Sequence, residues 1–458
     1  MVFKLKRIRY VLSFTSFMFV QFVILRLSNQ AGRGYLPEAQ QERVYLFIQV
    51  AAIIGFLGHA LFRSFKSTRR LYKPVSVAAI ALCLCGALVL LFGSPASKTY
   101  LFISGADVLL LGFVGGAVYE RLASAETDRK HLGLCIGIGY AVAVLLQFCL
   151  QLQWTVVPAI AVFLPLCFAF LAGFLLRDAA LQTPVDEGGA PAFSKSAPLF
   201  SVVITFALLL FTSYYNSYIH HLQIASGYTD YNVYSWPRLL MIPTVIVLGY
   251  VGDIRGGQFL PVCTLCVAAT ALLNTALLGR DTYLLNMCLY YVALTAVIAY
   301  YHVTFLHVAQ TAKHPALWAC MGRVIDSVSV LITLGLNLSE QSQAVVLVIN
   351  ITALAVVIIM MALSGALDLS ASKKPAPEAA VNETAEVDPF PIVQENYGIT
   401  PSELKILREL VLTDDKQEVI ASRLDISVST LRHHVTSLYR KTGAQTRLAL
   451  SNLVNNVK

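Results

Sequence analysis

The sequence predicts an all-helical protein with two parts, a bundle of about 12 membrane-spanning helices and a small helical domain at the C-terminus. Two observations lead to this class. First, 57% of the residues are hydrophobic and only 13% are charged, whereas soluble globular domains have about 25% charged residues. Second, the apolar character stops after residue 367, and helical periodicity with polar faces returns from residue 399 to residue 458.

The predicted spans fall into two groups of six, because a polar gap at 177–198 interrupts them. Each stretch is close to the length of about 20 residues that crosses the hydrocarbon core. The first begins near the N-terminus but lacks a small-residue cleavage site, so we interpret it as a retained helix. The stretches are centred in 8–27, 44–63, 74–93, 100–119, 132–152 and 155–176, and then in 199–220, 233–251, 258–278, 283–308, 316–338 and 343–367.

The loops on the two sides of the predicted bundle differ in basic residues. The side that holds the N-terminus and the loops around 63–73 and 121–130 carries about three times as many Lys and Arg residues as the other. Because basic loops remain in the cytoplasm, we predict a cytoplasmic N-terminus. An even number of spans then places the C-terminus in the cytoplasm too.

The nine cysteines all lie in apolar stretches. Cys263 and Cys266 have the spacing of metal ligands, but no second Cys/His pair accompanies them. We therefore interpret the cysteines as small apolar residues at helix interfaces, and we predict neither a metal nor a cofactor. Because no Ser/His/Asp pattern and no phosphate-binding loop occurs, we also expect that the protein is not an enzyme.

Ionisable residues inside spans are candidates for function, because each is costly in hydrocarbon. Asp107 lies in the fourth predicted span, and its own helix offers no partner. Arg323 and Asp326 lie three residues apart in the eleventh, close enough to neutralise each other locally. We predict that all three line a ligand site, and a purely structural ion pair is the alternative for the last two.

Two spans carry a polar-aromatic face at helical spacing. Such faces suit a small, flat, weakly polar ligand, and ordinary helix packing with an interfacial aromatic belt is the alternative interpretation. The two predicted faces consist of Tyr214, Tyr218 and His221 in the seventh span, and of Tyr291, Thr295 and His302 in the tenth.

A glycine-rich motif follows the eighth span. It comprises Gly249, Asp253, Arg255 and Gly257, whereas the equivalent loop after the second span, Gly58 to Arg63, lacks the Asp. With this motif, twelve spans split six and six resemble the major facilitator superfamily of transporters. The resemblance implies a substrate site between the halves near the midplane. That family uses the motif to latch helices during alternating access, so its decay in the first half weakens the expectation of active transport.

Residues 368–398 lack a hydrophobic period, so we predict a flexible cytoplasmic linker. Helical periodicity returns after it. Thr400 to Glu403 forms a capping box with Pro401 at the first helical position, which starts a helix with Leu404, Leu407 and Leu410 inward. Further helices are predicted at about 416–424, 428–441 and 446–456. Asp425 tolerates a left-handed turn, and Ser427 can cap the third helix.

Residues 399–458 resemble the four-helix LuxR-type helix-turn-helix domain. The match rests on Thr400-Pro-x-Glu403, Ile420-Ala-x-Arg-Leu-x-Ile-Ser427, Thr430-Leu-Arg-x-His-Val435, Arg440-Lys-x-Gly443 and Arg447. The resemblance implies that the domain binds a pseudo-palindromic double-stranded DNA operator as a homodimer. The exposed face of its third helix shows Arg432, His433, Thr436 and Arg440. By resemblance, Arg432, His433 and Thr436 face base edges, while Thr430, His434 and Lys441 face phosphates.

Together these observations lead us to expect a one-component transcriptional regulator. It would sense a small molecule through residues 1–367 in a bacterial cytoplasmic membrane and bind promoter DNA through residues 399–458. The alternative is a transporter of a small molecule with an appended regulatory DNA-binding domain.

Overall fold

A computed structural model of the chain describes residues 2–35, 41–65, 71–93, 98–124, 131–152, 156–176, 197–226, 235–275, 283–335, 343–363, 389–413, 415, 417–444 and 446–455. The chain divides into two compact units, Met1–Ser372 and Lys373–Lys458, which we call the N-terminal and the C-terminal unit. Each unit has a hydrophobic core of its own. All regular secondary structure in the described residues is helical.

Twelve α-helices make up the described part of the N-terminal unit, and they coincide in position with the predicted spans. A short 3-10 turn, Trp236–Leu240, leads into α8, and another, Ile254–Gly257, follows it. The helices are α1 (Val2–Tyr35), α2 (Gln41–Ser64), α3 (Tyr72–Phe92), α4 (Lys98–Leu122), α5 (Leu132–Leu152), α6 (Val156–Leu176), α7 (Ala197–Ser226), α8 (Met241–Asp253), α9 (Leu260–Thr275), α10 (Tyr283–Thr311), α11 (Pro315–Gly335) and α12 (Gln343–Leu363).

Eight of these helices are long and apolar enough within the described residues to cross a membrane, namely α1–α6, α10 and α11. Three more contain shorter apolar segments, Pro198–Ser213, Leu260–Ala271 and Leu347–Leu363. The remaining helix, α8, has 13 residues, because the chain enters it through the 3-10 turn at Trp236–Leu240. The prediction of about 12 full-length spans is therefore met directly for eight helices.

The twelve helices pack as two halves, α1–α6 and α7–α12. Helix α4 packs along α1, α2 and α3 in the first half, and α10 packs along α7, α8, α9 and α11 in the second. Two long contacts join the halves: α5 lies along α8, and α2 lies along α11. We call these contacts the α5–α8 seam and the α2–α11 seam.

Glycines bring the backbones of the α5–α8 seam together. A Cβ atom on Gly133 would lie 2.3 Å from the Gly249 carbonyl oxygen, and one on Gly249 would lie 2.4 Å from the Gly133 carbonyl oxygen. A Cβ atom on Gly137 would lie 2.5 Å from the Val245 carbonyl oxygen. Because any side chain at these positions would meet backbone, only glycine allows α5 and α8 to approach so closely.

The C-terminal unit contains five described helices, and their ends carry the predicted caps. The Thr400 hydroxyl and the Glu403 side chain form a reciprocal capping box, and the Ser427 hydroxyl accepts from the Thr430 amide. Asp425 has a φ of 54° and lies, as predicted, in the turn between the helix that ends at Arg423 and the helix that begins at Val428. The helices are α13 (Pro389–Tyr397), α14 (Pro401–Leu412), α15 (Gln417–Arg423), α16 (Val428–Thr442) and α17 (Arg447–Asn455).

Helix α13 corrects the prediction that residues 368–398 form a linker throughout. Phe390 and Val393 of this helix are buried in the core of the C-terminal unit, and the Arg408 guanidinium lies 4.9 Å from the centre of the Phe390 ring. No hydrophobic period is visible here because the helix has only nine residues and contains two prolines. Residues 364–388 lie outside the described part of the chain.

Candidate functional site

His302 of α10 lies at the centre of the contact between the two halves, where it is 3% exposed. Its Nδ1 is 2.8 Å from the Ile298 carbonyl oxygen, and its Nε2 is 2.8 Å from the Tyr119 hydroxyl. Because a carbonyl can only accept, Nδ1 carries a proton. Burial favours the neutral ring, so Nε2 carries none and accepts from the Tyr119 hydroxyl. The ring is thus held as one neutral tautomer, and its bond to α4 bridges the two halves.

Aromatic rings from three further positions surround His302. The Tyr301 ring stacks on it with centroids 4.3 Å apart, Phe14 of α1 meets it edge-on at 5.4 Å, and Tyr140 of α5 lies at 6.2 Å. We call Phe14, Tyr119, Tyr140, Tyr301 and His302 the central cluster. Its members come from both halves, so any relative movement of the halves must rearrange it.

The predicted pair of Arg323 and Asp326 forms, with 2.6 Å between the guanidinium Nη1 and the carboxylate Oδ2. The same Nη1 donates to the Tyr301 hydroxyl at 3.1 Å. The pair is therefore local, as the structural alternative supposed, but it also reaches the central cluster through Tyr301. The Arg323 Nε is buried without a hydrogen-bond partner among the described residues.

The remaining residues of the two predicted faces contribute differently. Tyr291 and Thr295 are buried on α10, but the Thr295 hydroxyl donates to the Tyr291 carbonyl at 2.5 Å. The hydrogen of that hydroxyl is thus engaged by its own helix, and the oxygen can only accept from a ligand. The backbone of α7 includes Tyr214, Tyr218 and His221, whose side chains lie outside the described residues.

Asp107 does not join the central cluster, which corrects the prediction that it lines a site between the halves. Its carboxylate lies against Gly86 of α3, where an added Cβ atom would be 2.8 Å from Oδ1. The Cys83 thiol, also on α3, lies 3.6 Å from the Asp107 carbonyl oxygen. Position 107 therefore faces the interior of the first half, an orientation that the spacing along α4 alone did not reveal.

Asp253, the acidic residue of the glycine-rich motif, connects the end of α8 to the start of α5. One carboxylate oxygen accepts from the Gly133 amide at 2.6 Å, and the other accepts from the Leu134 amide at 2.8 Å. These amides belong to the first turn of α5, where a helix lacks internal acceptors and favours negative charge. The sequence singled out Asp253, but its partners, about 120 residues earlier, could not be read from it.

Arg238 forms a second polar contact across the α5–α8 seam, at the opposite end from Asp253. Its Nη2 donates to the Gln147 side-chain oxygen of α5 at 2.5 Å. The guanidinium also lies 5.6 Å from the centre of the Phe22 ring of α1. This contact could not be predicted from the sequence, because Arg238 lies in the 3-10 turn before α8 and Gln147 is one polar residue in an apolar helix.

A charged cluster within the first half was also missed. Arg63 of α2 donates from Nε to both Glu120 carboxylate oxygens of α4 at 2.9 Å, and its guanidinium lies 4.7 Å from the centre of the Tyr72 ring. The His59 Nε2 lies 3.4 Å from the same carboxylate, without the alignment of a hydrogen bond. These residues hold α2 against α4. They lie at the end of α2, which is the counterpart in the first half of the glycine-rich motif after α8.

The outer face of α16 presents the residues predicted to face bases. Arg432, His433, Thr436 and Arg440 are exposed, while Leu431, Val435 and Leu438 are buried on the other face. The Arg432 Nε lies 3.4 Å from the Gln417 side-chain oxygen of α15. Of the residues predicted to face phosphates, Thr430 is exposed and His434 is half-buried.

Lys441 is bound within the C-terminal unit, and its phosphate contact stays a prediction. Its Nζ lies 2.7 Å from the Glu403 carboxylate and donates to the Gly398 carbonyl at 3.0 Å. Burial favours the neutral form of Glu403, but the hydrogen bonds from Lys441 and Thr400 outweigh it and lower the pKa of this carboxyl to about 2. Lys441 therefore joins α16 to the start of α14, and sequence spacing alone does not show this contact.

Comparisons with known proteins give a result for the fold. Neither protein-family profiles nor curated proteins match the sequence. Solved structures do match. The human organic anion transporter MFSD10 (TETRAN) aligns with a TM-score of 0.54 and 15% identity, over 78% of this chain and 98% of that one.

Two further transporters align in the same way. A bacterial homologue of the iron transporter ferroportin, in an outward-facing state, has a TM-score of 0.55 and 12% identity over 80% of this chain and 98% of that one. The major facilitator superfamily transporter FucP, in the outward conformation, has a TM-score of 0.53 and 12% identity over 80% and 99%. The chain is thus a multi-pass membrane protein whose membrane part has a fold like that of major facilitator transporters.

Proposed function

We propose that the N-terminal unit is a carrier that binds a small molecule between its two halves and moves it across the membrane. The central cluster is the observation that carries the proposal. It joins both halves through the Tyr119–His302 hydrogen bond, at the place where proteins of this fold bind substrate. Movement of a ligand through the centre must break this contact and remake it.

The chemistry of the central cluster defines a class of ligand. It offers aromatic faces, phenolic hydroxyls and a neutral imidazole, and the nearby Arg323 and Asp326 neutralise each other. A small, flat, weakly polar molecule can stack on such rings without leaving a charge unpaired. We therefore propose a neutral or weakly polar aromatic compound as the substrate.

A small-molecule sensor that does not transport is the second candidate for this unit. One observation favours it: the loop after α2 lacks the acidic residue that Asp253 supplies after α8. A bundle that has this acidic latch in one half alone can change conformation when a ligand binds without completing a transport cycle. Under this candidate the whole chain is a membrane-bound transcriptional regulator.

Binding and uptake separate the two candidates. The purified full-length chain is screened by thermal shift against a panel of small aromatic metabolites, and each hit is tested for uptake into proteoliposomes. We expect uptake that Tyr119→Phe and His302→Ala reduce at least about tenfold, with the exposed Tyr250→Phe as the matched control. Binding without uptake contradicts the carrier and leaves the sensor, while hits unaffected by both cluster variants contradict the site.

We further propose that the C-terminal unit binds double-stranded DNA as a dimer, in the manner of LuxR-type domains. The supporting observation is the exposed face of α16. Its four polar residues are held at fixed positions because Ser427 caps the helix and Asp425 adopts the left-handed turn before it. A capped helix with such a face fits the major groove, which admits one α-helix.

Selection from random DNA with the full-length chain in nanodiscs tests this proposal. Arg432→Ala should weaken the selected site by about 1–3 kcal/mol and relax one base preference. Lys405→Ala on α14 is the control, since it removes the same charge from an exposed position outside α16. Equal effects of the two substitutions, or an unchanged base preference, contradict the assignment of α16.

DNA binding requires the C-terminal unit in the cytoplasm, and we propose that both termini of this membrane protein lie in the cytoplasm of a bacterial cell. In a background without the native cysteines, a cysteine at position 34 should react with an impermeant maleimide in whole cells, because the end of α1 and the loop after it are predicted outside. A cysteine at position 379 should not react. Labelling at 379 in intact cells would overturn the proposed topology and the DNA-binding role with it.

A further inference from the structure

A cavity of about 240 Å³ lies inside the first half, away from the central cluster. Its walls come from four helices: the C-terminal part of α1, the last turn of α3 and the first turns of α4 and α6. All four ends belong to the side of the bundle that the basic loops predict to be outside. The volume is far above the ~10–15 Å³ that one water needs and somewhat below the ~300 Å³ of the smallest drug-sized pockets.

The charged group of this cavity is a donor. Arg26 and Gln30 of α1 line it, and no described residue pairs with the Arg26 guanidinium. Tyr100 also lines it, but the Tyr100 hydroxyl already donates to the Val89 carbonyl. An unpaired guanidinium offers five N–H donors in a fork that matches a carboxylate or a phosphate. The polar end of the cavity is therefore suited to an anion.

The rest of the wall is apolar. Val157 and Ile160 of α6 form one side, and leucines of α1 and α3 form the other. A free inorganic anion would leave this surface against water, whereas an anion with a short apolar group would cover it. Shape and chemistry together thus select an amphiphilic anion over a purely ionic one.

We propose that this cavity binds a carboxylate or phosphate group that carries a small apolar substituent, with the anion on Arg26 and the substituent against Val157 and Ile160. Two sources share this chemistry: the head group of an anionic lipid, and a small amphiphilic anion that enters from outside. The site is separate from the central cluster and does not depend on the proposed carrier or DNA-binding functions.

Saturation-transfer NMR on the full-length chain in phosphatidylcholine nanodiscs tests the site, with butanoate, butanol and inorganic phosphate as probes. We expect butanoate to bind. Butanol and inorganic phosphate should bind at least about tenfold more weakly, because butanol lacks the charge-assisted hydrogen bond and phosphate lacks the apolar group. Arg26→Gln should weaken butanoate by a similar factor. The matched control is Arg43→Gln. Arg43 is exposed at the start of α2, on the same side of the bundle, and this variant should bind butanoate as the wild type does.

A second variant fills the cavity instead of removing its charge. Val157 is 43% exposed, so Val157→Phe can place its ring in the cavity without disturbing the core, and it should abolish butanoate binding. Arg26→Gln that binds butanoate like the wild type overturns the proposal. So does butanol or phosphate that binds as well as butanoate, or an Arg43→Gln variant as weak as Arg26→Gln.

The same measurement in phosphatidylglycerol nanodiscs identifies the source. If an anionic lipid occupies the cavity, butanoate binding falls relative to phosphatidylcholine nanodiscs in the wild type, and the lipid remains bound to the wild type but not to Arg26→Gln in native mass spectrometry. If the occupant is a soluble amphiphile, butanoate binds equally in both lipids. Either result supports an anion site at Arg26.

Discussion

The two seams that join the halves of the membrane bundle are held by different interactions. In the α5–α8 seam, backbones meet at Gly133, Gly137 and Gly249, and Asp253 binds the first amides of α5. In the α2–α11 seam, the Cys320 thiol of α11 lies 3.8 Å from the Phe56 carbonyl oxygen of α2. The first turn of α11 bonds instead to the His314 carbonyl of its own segment.

This difference indicates which seam parts more easily. Backbone contact at glycines leaves no side chain that could change rotamer to open a gap, and a carboxylate on a helix start adds a charged bond to the same place. A contact through a thiol, a weak donor, is lost at little cost. We expect the α5–α8 seam to stay closed as the halves move and the α2–α11 seam to open first.

The largest effect should come from Gly249→Ala. The added Cβ atom would lie 2.4 Å from the Gly133 carbonyl oxygen, so the backbones must separate, and we expect a loss of roughly 2–3 kcal/mol, seen as a lower melting temperature of the purified chain. Gly58→Ala on α2 is the control, since a Cβ atom there meets nothing within 4 Å. Equal melting temperatures for the two variants would show that the α5–α8 seam is not closely packed.

Asp253→Asn should have the next largest effect, about 1–2 kcal/mol, because the amide removes the charge from the start of α5. The direct measurement is hydrogen exchange at the Gly133 and Leu134 amides, which donate to Asp253 and should exchange faster in the variant. The first amides of α11 serve as the internal control and should not change. Faster exchange at both helix starts would mean that Asp253 supports the whole bundle instead of one seam.

Arg238 tests the other end of the α5–α8 seam. Arg238→Met removes the donor to Gln147 and should cost about 1 kcal/mol. A double-mutant cycle with Gln147→Leu isolates the contact, and we expect a coupling free energy of about 1 kcal/mol from thermal unfolding. A coupling free energy near zero would mean that polar contacts stabilise this seam at the Asp253 end and not at the Arg238 end.

The smallest effect should come from Cys320→Ala in the α2–α11 seam, below about 1 kcal/mol. The Cys320 thiol also contacts the Ala316 carbonyl of its own helix, so its bond across the seam is weak. The melting temperature of the purified variant measures this, with Cys320→Ser as the conservative control. A loss as large as that of Gly249→Ala would reverse the ranking of the two seams.

Local features of this protein could be predicted from the sequence, whereas contacts between distant residues could not. The cap at Thr400, the turn at Asp425 and the Arg323–Asp326 pair were predicted because each depends on residues at most a few positions apart. The bonds from Asp253 to α5 and from Tyr119 to His302 depend on how helices pack. The same limit explains the error at Asp107, since period alone does not say which neighbour a face meets.

Lys441 and α13 show the limit in the C-terminal unit. Family resemblance assigned Lys441 to phosphate because its position on α16 matched, but Glu403 and Gly398 compete for the same ammonium group. Helix α13 was not predicted because a nine-residue helix spans too few turns for a hydrophobic period to be seen. In both cases the deciding partner belongs to another segment of the unit.

The fixed tautomer of His302 has a consequence for proton conduction. A proton relay through an imidazole needs one nitrogen to accept while the other releases its proton to a further acceptor that can pass it on. In His302 the nitrogen that would release its proton is Nδ1, which donates to the Ile298 carbonyl of its own helix. A backbone carbonyl accepts this hydrogen bond but does not pass a proton to a further group. A hopping chain that starts at the Tyr119 hydroxyl therefore stops at this ring in this conformation.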